Sequence, residues 1–214
     1  MSRTNLPAAS ADAGAGADLL RIVRINEEIK SVVGIAFRIN IMALNAIFLA
    51  KRAGTTALGF GVLSNELRVF SQDLRTGMEA LTGLVHACVA EVSRVLQDIR
   101  HTGLLRRAVA DVQRPGPAAV LARREAENAA HSAHLAELRK ALQRALEDAF
   151  RLVELGSVLA KSAKIEAAYG QSFAGELSQV SGEFAGVVEE IRESLESLRR
   201  SAFFNPPREA GRAS

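Results

Sequence analysis

The sequence predicts an all-α fold: long antiparallel helical hairpins forming a four-helix coiled-coil bundle. Three observations carry this. Proline occupies only positions 7, 115, 117, 206 and 207, so two long stretches lack the strongest helix breaker. Apolar residues make up 48% of the chain but aromatic residues only 5%, with no Trp. A core of Ala, Leu, Val and Ile suits packed helices better than a sandwich or barrel. Finally, apolar residues recur at alternating steps of three and four, the spacing of a coiled-coil seam.

Taken in order, residues 1–17 are Ala, Gly, Ser and Asp with one Pro and predict a disordered arm. Asp18 is suited to cap a first helix over 18–53. Its seam is Ile22, Ile25, Ile29, Val32, Ala36, Ile39, Ala43, Ala46 and Ala50. The run from Gly54 through Thr55, Thr56, Ala57 and Leu58 to Gly59 is too small and flexible to hold a helix, and predicts a tip. A second helix over 60–112 has the seam Leu63, Leu67, Phe70, Leu74, Leu81, Leu84, Cys88, Val92, Val95 and Ile99. Residues 18–112 thus form the first hairpin.

Arg114-Pro115-Gly116-Pro117 breaks the chain and sets a linker at 113–117. A third helix starts near Ala118 with Leu135, Leu138, Leu142, Ala145, Ala149, Leu152 and Leu159 on its seam. It passes Gly156, because one Gly costs only about 1 kcal/mol in a helix. Tyr169-Gly170-Gln171-Ser172 is a second candidate tip, at 169–172. The fourth helix reads Phe173, Leu177, Val180, Phe184, Val187, Ile191, Leu195 and Leu198, and stops near Phe204 before Asn205-Pro206-Pro207. The second hairpin is therefore 118–204, and 205–214 form a disordered tail. Placing both hairpins in one bundle sets the two tips side by side.

Composition also narrows function. A net charge of +3 is too slight to argue for nucleic acid. One cysteine, Cys88, excludes an internal disulfide framework. The first residues lack the apolar core of a secretory signal. Residues 31–50 are long enough to span a bilayer but carry Arg38, Asn40 and Asn45, and a mid-membrane Arg costs about 2.5–3.5 kcal/mol. The expectation is a cytoplasmic chain with no membrane span. There is no phosphate loop, nucleophile elbow or Cys–His pairing, so no enzyme and no cofactor are expected. His131 and His134 stand three apart on one helix face, and a turn about Gly116 brings His101 to the same level. With Glu127 or Asp98 these imidazoles are candidate ligands for a transition metal, the alternative being three exposed histidines.

The stretch around the first tip supplies a more specific signal. It reads Asn40-Ile41-Met42-Ala43-Leu44-Asn45-Ala46, then Leu49-Ala50-Lys51-Arg52-Ala53-Gly54, then Gly59-Phe60-Gly61-Val62-Leu63-Ser64-Asn65-Glu66-Leu67-Arg68. This resembles the hairpin tip of the cytoplasmic signalling domain of methyl-accepting chemotaxis proteins, the bacterial chemoreceptors. The resemblance implies a non-enzymatic signalling protein whose tip binds a coupling protein and the chemotaxis histidine kinase. Self-association, or association with full-length chemoreceptors, is implied as well. Carried over position by position, the tip contacts are Phe37, Asn40, Leu44, Asn45, Arg52 and Val62. Leu49 stands where the family carries Glu, and Leu58 where it carries Arg, so this tip is greasier. The segment Ala163-Lys164-Ile165-Glu166-Ala167-Ala168 before Phe173 faintly echoes the same tip and suggests a degenerate duplication. The other reading is a helical bundle repurposed to bind a metal, a small ligand or another protein outside chemotaxis.

Overall fold

A computed structural model describes residues 6–110, 115–201 and 203, with side chains described over 20–107, 118–201 and 203. Its elements are helix α1 (Leu6–Ala53), a 3-10 turn (Gly54–Ala57), α2 (Leu58–Ala110), α3 (Pro115–Ala168), a second 3-10 turn (Gln171–Phe173) and α4 (Ala174–Arg199). No strand occurs among the described residues, and the fold is the expected all-α bundle. Three boundaries differ from the sequence reading. Helix α1 already runs through 6–17, the stretch read as a disordered arm. Helix α3 begins at Pro115, inside the expected linker, because Pro is well tolerated in the first turn, where its missing N–H has no partner to lose. Helix α4 ends at Arg199 rather than near Phe204. Residues 1–5, 111–114, 202 and 204–214, and with them the expected tail and parts of the expected arm and linker, lie outside the described residues.

The chain divides into two compact units. The first comprises 1–25, 83–142 and 201–214, the second 26–82 and 143–200.

The second unit is a closed ring of four helices, each touching the next. Ser71 on α2 donates its hydroxyl to the Ala36 carbonyl of α1 at 2.7 Å. On α3, Gly156 lies under the Phe70 ring of α2. The Arg199 guanidinium of α4 sits 5.0 Å from the centroid of the Phe150 ring of α3. Arg38 on α1 pairs with Glu190 on α4 at 2.5 Å, a half-exposed ion pair that adds little stability but fixes which helices are neighbours. Every predicted seam residue of α1 is buried. Residues 31–50 therefore serve as a bundle helix. By length and composition one helical stretch within Leu20–Arg107 is able to cross a membrane, and 33% of that window is buried here.

The other seams need correction. On α2 the buried line includes Ser64, Ser71, Met78 and Val85, while Leu63 and Leu84 are half-buried. Ser64 is satisfied by the Phe60 carbonyl at 2.8 Å, so a serine costs little in this core. On α3 the buried line is Leu142, Leu146, Ala149, Val153, Gly156, Ala160, Ala163 and Ala167; Ala145, Leu152 and Leu159 flank it, half-buried. On α4, Ser181 and Val188 replace Val180 and Val187. At Ser64, Ala160 and Ser181 a small or hydroxyl side chain takes the buried position and the larger apolar neighbour, Leu63, Leu159 or Val180, is half-buried beside it.

In the first unit, Cys88 is fully buried, and burial pushes its thiol up to about 11, with the Arg139 charge opposing. It is a small core residue and not a reactive thiol.

Candidate functional site

The first tip closes because Gly54 adopts φ +67, the left-handed conformation that ends a helix and that glycine takes without steric cost. Thr56 Oγ1 donates to the Ala53 carbonyl at 2.9 Å, satisfying one orphan acceptor of the last turn of α1. Lys51 and Arg52 sit in that same turn, where the helix dipole favours cations. Ala43, Ala46 and Ala50 are buried, and a Cβ placed at Gly61 would lie 3.4 Å from that of Ala50. Small residues thus let α1 and α2 close to near contact below the tip.

That close approach turns larger side chains outward. Phe37 is 63% exposed and Val62 64%; Asn45 and Arg52 are exposed, while Asn40 and Leu44 are half-buried. The contacts carried over from the resemblance therefore lie at the surface or its edge, and Val62 is no core residue. Two residues that the sequence reading did not single out as contacts are at least as prominent. Phe48 is 65% exposed and Leu58 67%. Phe48 was findable, because Phe37, Ile41, Leu44 and Phe48 follow steps of four, three and four on the side of α1 away from its seam. Leu58 and Val62 join Ile47, Ala50, Lys51 and Asn65 around an open groove of about 650 Å3 beside the turn. The groove is apolar, with one cation and one amide on its wall.

The second tip is built differently. Its left-handed residue is Gln171, at φ 49, and not Gly170. Gly170 is needed for space, since a Cβ there would come within 2.5 Å of Leu177 Cδ1. The two tips meet within the second unit. The Arg52 guanidinium stands 6.0 Å from the centroid of the Phe173 ring, and a Cβ at Gly59 would overlap the Glu166 carboxylate, whose carbon would be 2.7 Å away. Arg52 thus has a partner inside the chain as well as an exposed position.

The candidate metal residues are not brought together. Among the described residues no group of three or more His, Cys, Asp and Glu side chains is placed to hold a metal. His101 and His134 are exposed. The first unit instead uses His131 to satisfy Glu91, a carboxylate only 2% exposed. His131 Nδ1 lies 2.6 Å from Glu91 Oε1, and Arg94 donates to the other oxygen at 3.2 Å. A carboxylate oxygen accepts, which puts the ring proton on Nδ1. His131 Nε2 is 3.8 Å from Asp98 Oδ2, beyond hydrogen-bond reach. Glu127 is taken by arginines: the Arg123 hydrogen bond holds its carboxyl below the usual range against desolvation, with the Arg124 and Arg123 charges adding to the lowering.

Fold and site together define a coiled-coil bundle of helical hairpins that exposes apolar side chains around a glycine-closed tip. Comparison with known proteins points the same way. Over 71 residues, 33% of the chain, the sequence is 35% identical to methyl-accepting chemotaxis protein IV of Escherichia coli (strain K12). Over 72 residues, 34% of the chain, it is 31% identical to the putative sensory transducer protein YvaQ of Bacillus subtilis (strain 168). Each match spans 13% of the relative's length. About a third of the chain is therefore chemoreceptor-like. No family profile matches the sequence, and no solved structure matches it.

Proposed function

We propose that the chain is a non-enzymatic, cytoplasmic signal-transduction protein of the chemotaxis type. Its tip, residues 37–67, presents a docking surface to a chemotaxis coupling protein, a histidine kinase or both. The observation that carries this reading is the outward placement of Phe37, Phe48, Leu58 and Val62 about an apolar groove, on a chain similar in part to chemotaxis proteins. Large apolar side chains grouped at a surface mark protein contacts, and aromatic anchors with a nearby arginine are the usual energetic centres of such contacts. Asn45 adds a hydrogen-bonding group next to them, and Lys51 a cation on the groove wall.

The test is capture of the host's coupling protein by the purified chain, with Asn45→Ala and Arg52→Ala beside the wild type. Binding weakened about tenfold or more by either change is the expected result. All three proteins should keep the same helical circular dichroism, because both residues are exposed. No capture, or capture indifferent to both substitutions, assigns the bundle a partner outside chemotaxis.

A further inference from the structure

Below the two tips, α2 and α3 line a second groove, of about 420 Å3. Gly59, Val62 and Leu63 face it from one hairpin, and Ser162, Ile165 and Glu166 from the other. Its walls are apolar: Val62 and Ile165 are exposed, and Leu63 is half-buried. Its polar groups come from one helix. Ser162 and Glu166 stand four apart, so hydroxyl and carboxylate share one face of α3. The carboxylate reaches α2 because Gly59 has no side chain, and a Cβ there would overlap it. Gly59 lies in the first turn of α2, where the helix dipole favours an anion and holds the carboxylate in place.

Other carboxylates that reach a neighbouring helix are matched with a donor. Glu190 pairs with Arg38, Glu125 with Arg106, and Glu91 with His131 and Arg94. Glu166 is half-buried and has no ion-pair or hydrogen-bond partner among the described residues. A partly buried charge without a counter-charge is costly, and a ligand that brings one relieves the cost. We propose that this groove binds a small primary amine in its alkylammonium form. The ammonium donates to the Glu166 carboxylate and to the Ser162 hydroxyl, and the alkyl chain lies along Val62, Leu63 and Ile165.

Charge, chemistry and size each narrow the occupant. A carboxylate at the polar end turns away fatty acids and other anionic amphiphiles. A neutral alcohol buries the same chain but leaves Glu166 uncompensated. A metal ion is the poorer fit, because one carboxylate and one hydroxyl fall well short of the roughly six to eight oxygens that calcium takes. The volume lies at the small end of ligand sites, about 300–1,000 Å3. The groove is built from both hairpins, so a bound amine bridges them. Val62 also walls the larger groove, which sets the amine next to the docking surface. Binding of the amine needs no coupling protein and stands apart from the docking reading.

The experiment titrates hexylamine, charged at about pH 7 as a lysine side chain is, into the isotope-labelled full chain and follows its backbone amide resonances. Saturable shifts centred on Gly59, Val62, Ser162 and Ile165 are expected, with a Kd on the order of 1 mM for a ligand this small. Butylamine should bind about fifteenfold more weakly, at about fourfold for each methylene lost. Hexanol, hexanoate and the Glu166→Gln variant should each weaken binding about tenfold or more, because each removes the charged hydrogen bond. If Glu166→Gln fails to fold, the comparison of hexylamine with hexanol on the wild type decides alone. No saturable shift by about 10 mM overturns the proposal. So does hexanol binding as tightly as hexylamine, a set of shifts that lies elsewhere on the bundle, or binding indifferent to Glu166→Gln in a folded variant.

Discussion

Replacing Phe70 by alanine is expected to lower the unfolding free energy by about 3–5 kcal/mol, the range for a fully buried phenyl ring. The melting temperature should fall by about 10 °C for a chain of this size. The ring is 2% exposed and spans from α2 onto α3, where it covers Gly156. A Cβ at Gly156 would sit 2.6 Å from Phe70 Cζ and 2.8 Å from Cε2. Two effects therefore oppose each other in Gly156→Ala. Helix propensity gains about 1 kcal/mol. Forcing the ring aside costs about 1–3 kcal/mol. The clash wins in the wild type, so Gly156→Ala destabilises. In the Phe70→Ala background there is no ring to displace, and the same substitution becomes stabilising. Denaturant titration of the four proteins reads that change of sign. Additive effects would mean that the ring and the glycine do not meet.

Replacing His131 by alanine is the second large effect, at about 2–3 kcal/mol, for a reason unrelated to volume. Glu91 is buried, and its oxygens are satisfied by His131 and by Arg94, itself largely exposed. Removing the imidazole leaves half of a buried carboxylate without a donor, and the cost is the desolvation of that group. Glu91→Leu together with His131→Leu should be close to neutral or stabilising, because a buried hydrogen-bonded polar pair is often no better than an apolar pair of similar volume. The contrast between the single and the paired change, read by thermal melts, separates this account from simple loss of packing. A destabilised Leu/Leu protein would contradict it.

How much of this was legible differs by helix. The α1 seam was readable residue by residue, because Ile and Val give way smoothly to Ala toward the tip and nothing polar interrupts the line. On α2 the pattern failed at Ser64 and Ser71, which carry no hydrophobic signal, yet their hydroxyls reach backbone carbonyls and pack at the axis. On α3 a reader of apolarity chooses Leu152 and Leu159. The structure buries Val153, Gly156 and Ala160 instead, and at Gly156 the reason is that the Phe70 ring already fills the space. That reason belongs to another helix and is invisible in α3 alone. At the tip, Gly54 was legible from its isolation after a helical run. Leu58 was noted as a departure from the family pattern, and its exposure on a groove wall depended on where the 3-10 turn delivers it. Of the two readings of the histidines, exposure holds for His101 and His134; His131 differs, because sequence spacing cannot show that Glu91 claims it.

The central claim is that one chain carries both hairpins, with their tips held against each other in the second unit. Paired cysteines at Gly59→Cys and Glu166→Cys, in a Cys88→Ala background, test it most directly. A Cβ at Gly59 would meet the end of the Glu166 side chain, so the two positions face each other across the tips and thiols placed there approach one another. Mild oxidation should close the bond inside single chains, giving a faster-migrating species at monomer mass in a denaturing, non-reducing gel. Bonds that form only between chains, or none at all, would contradict the account.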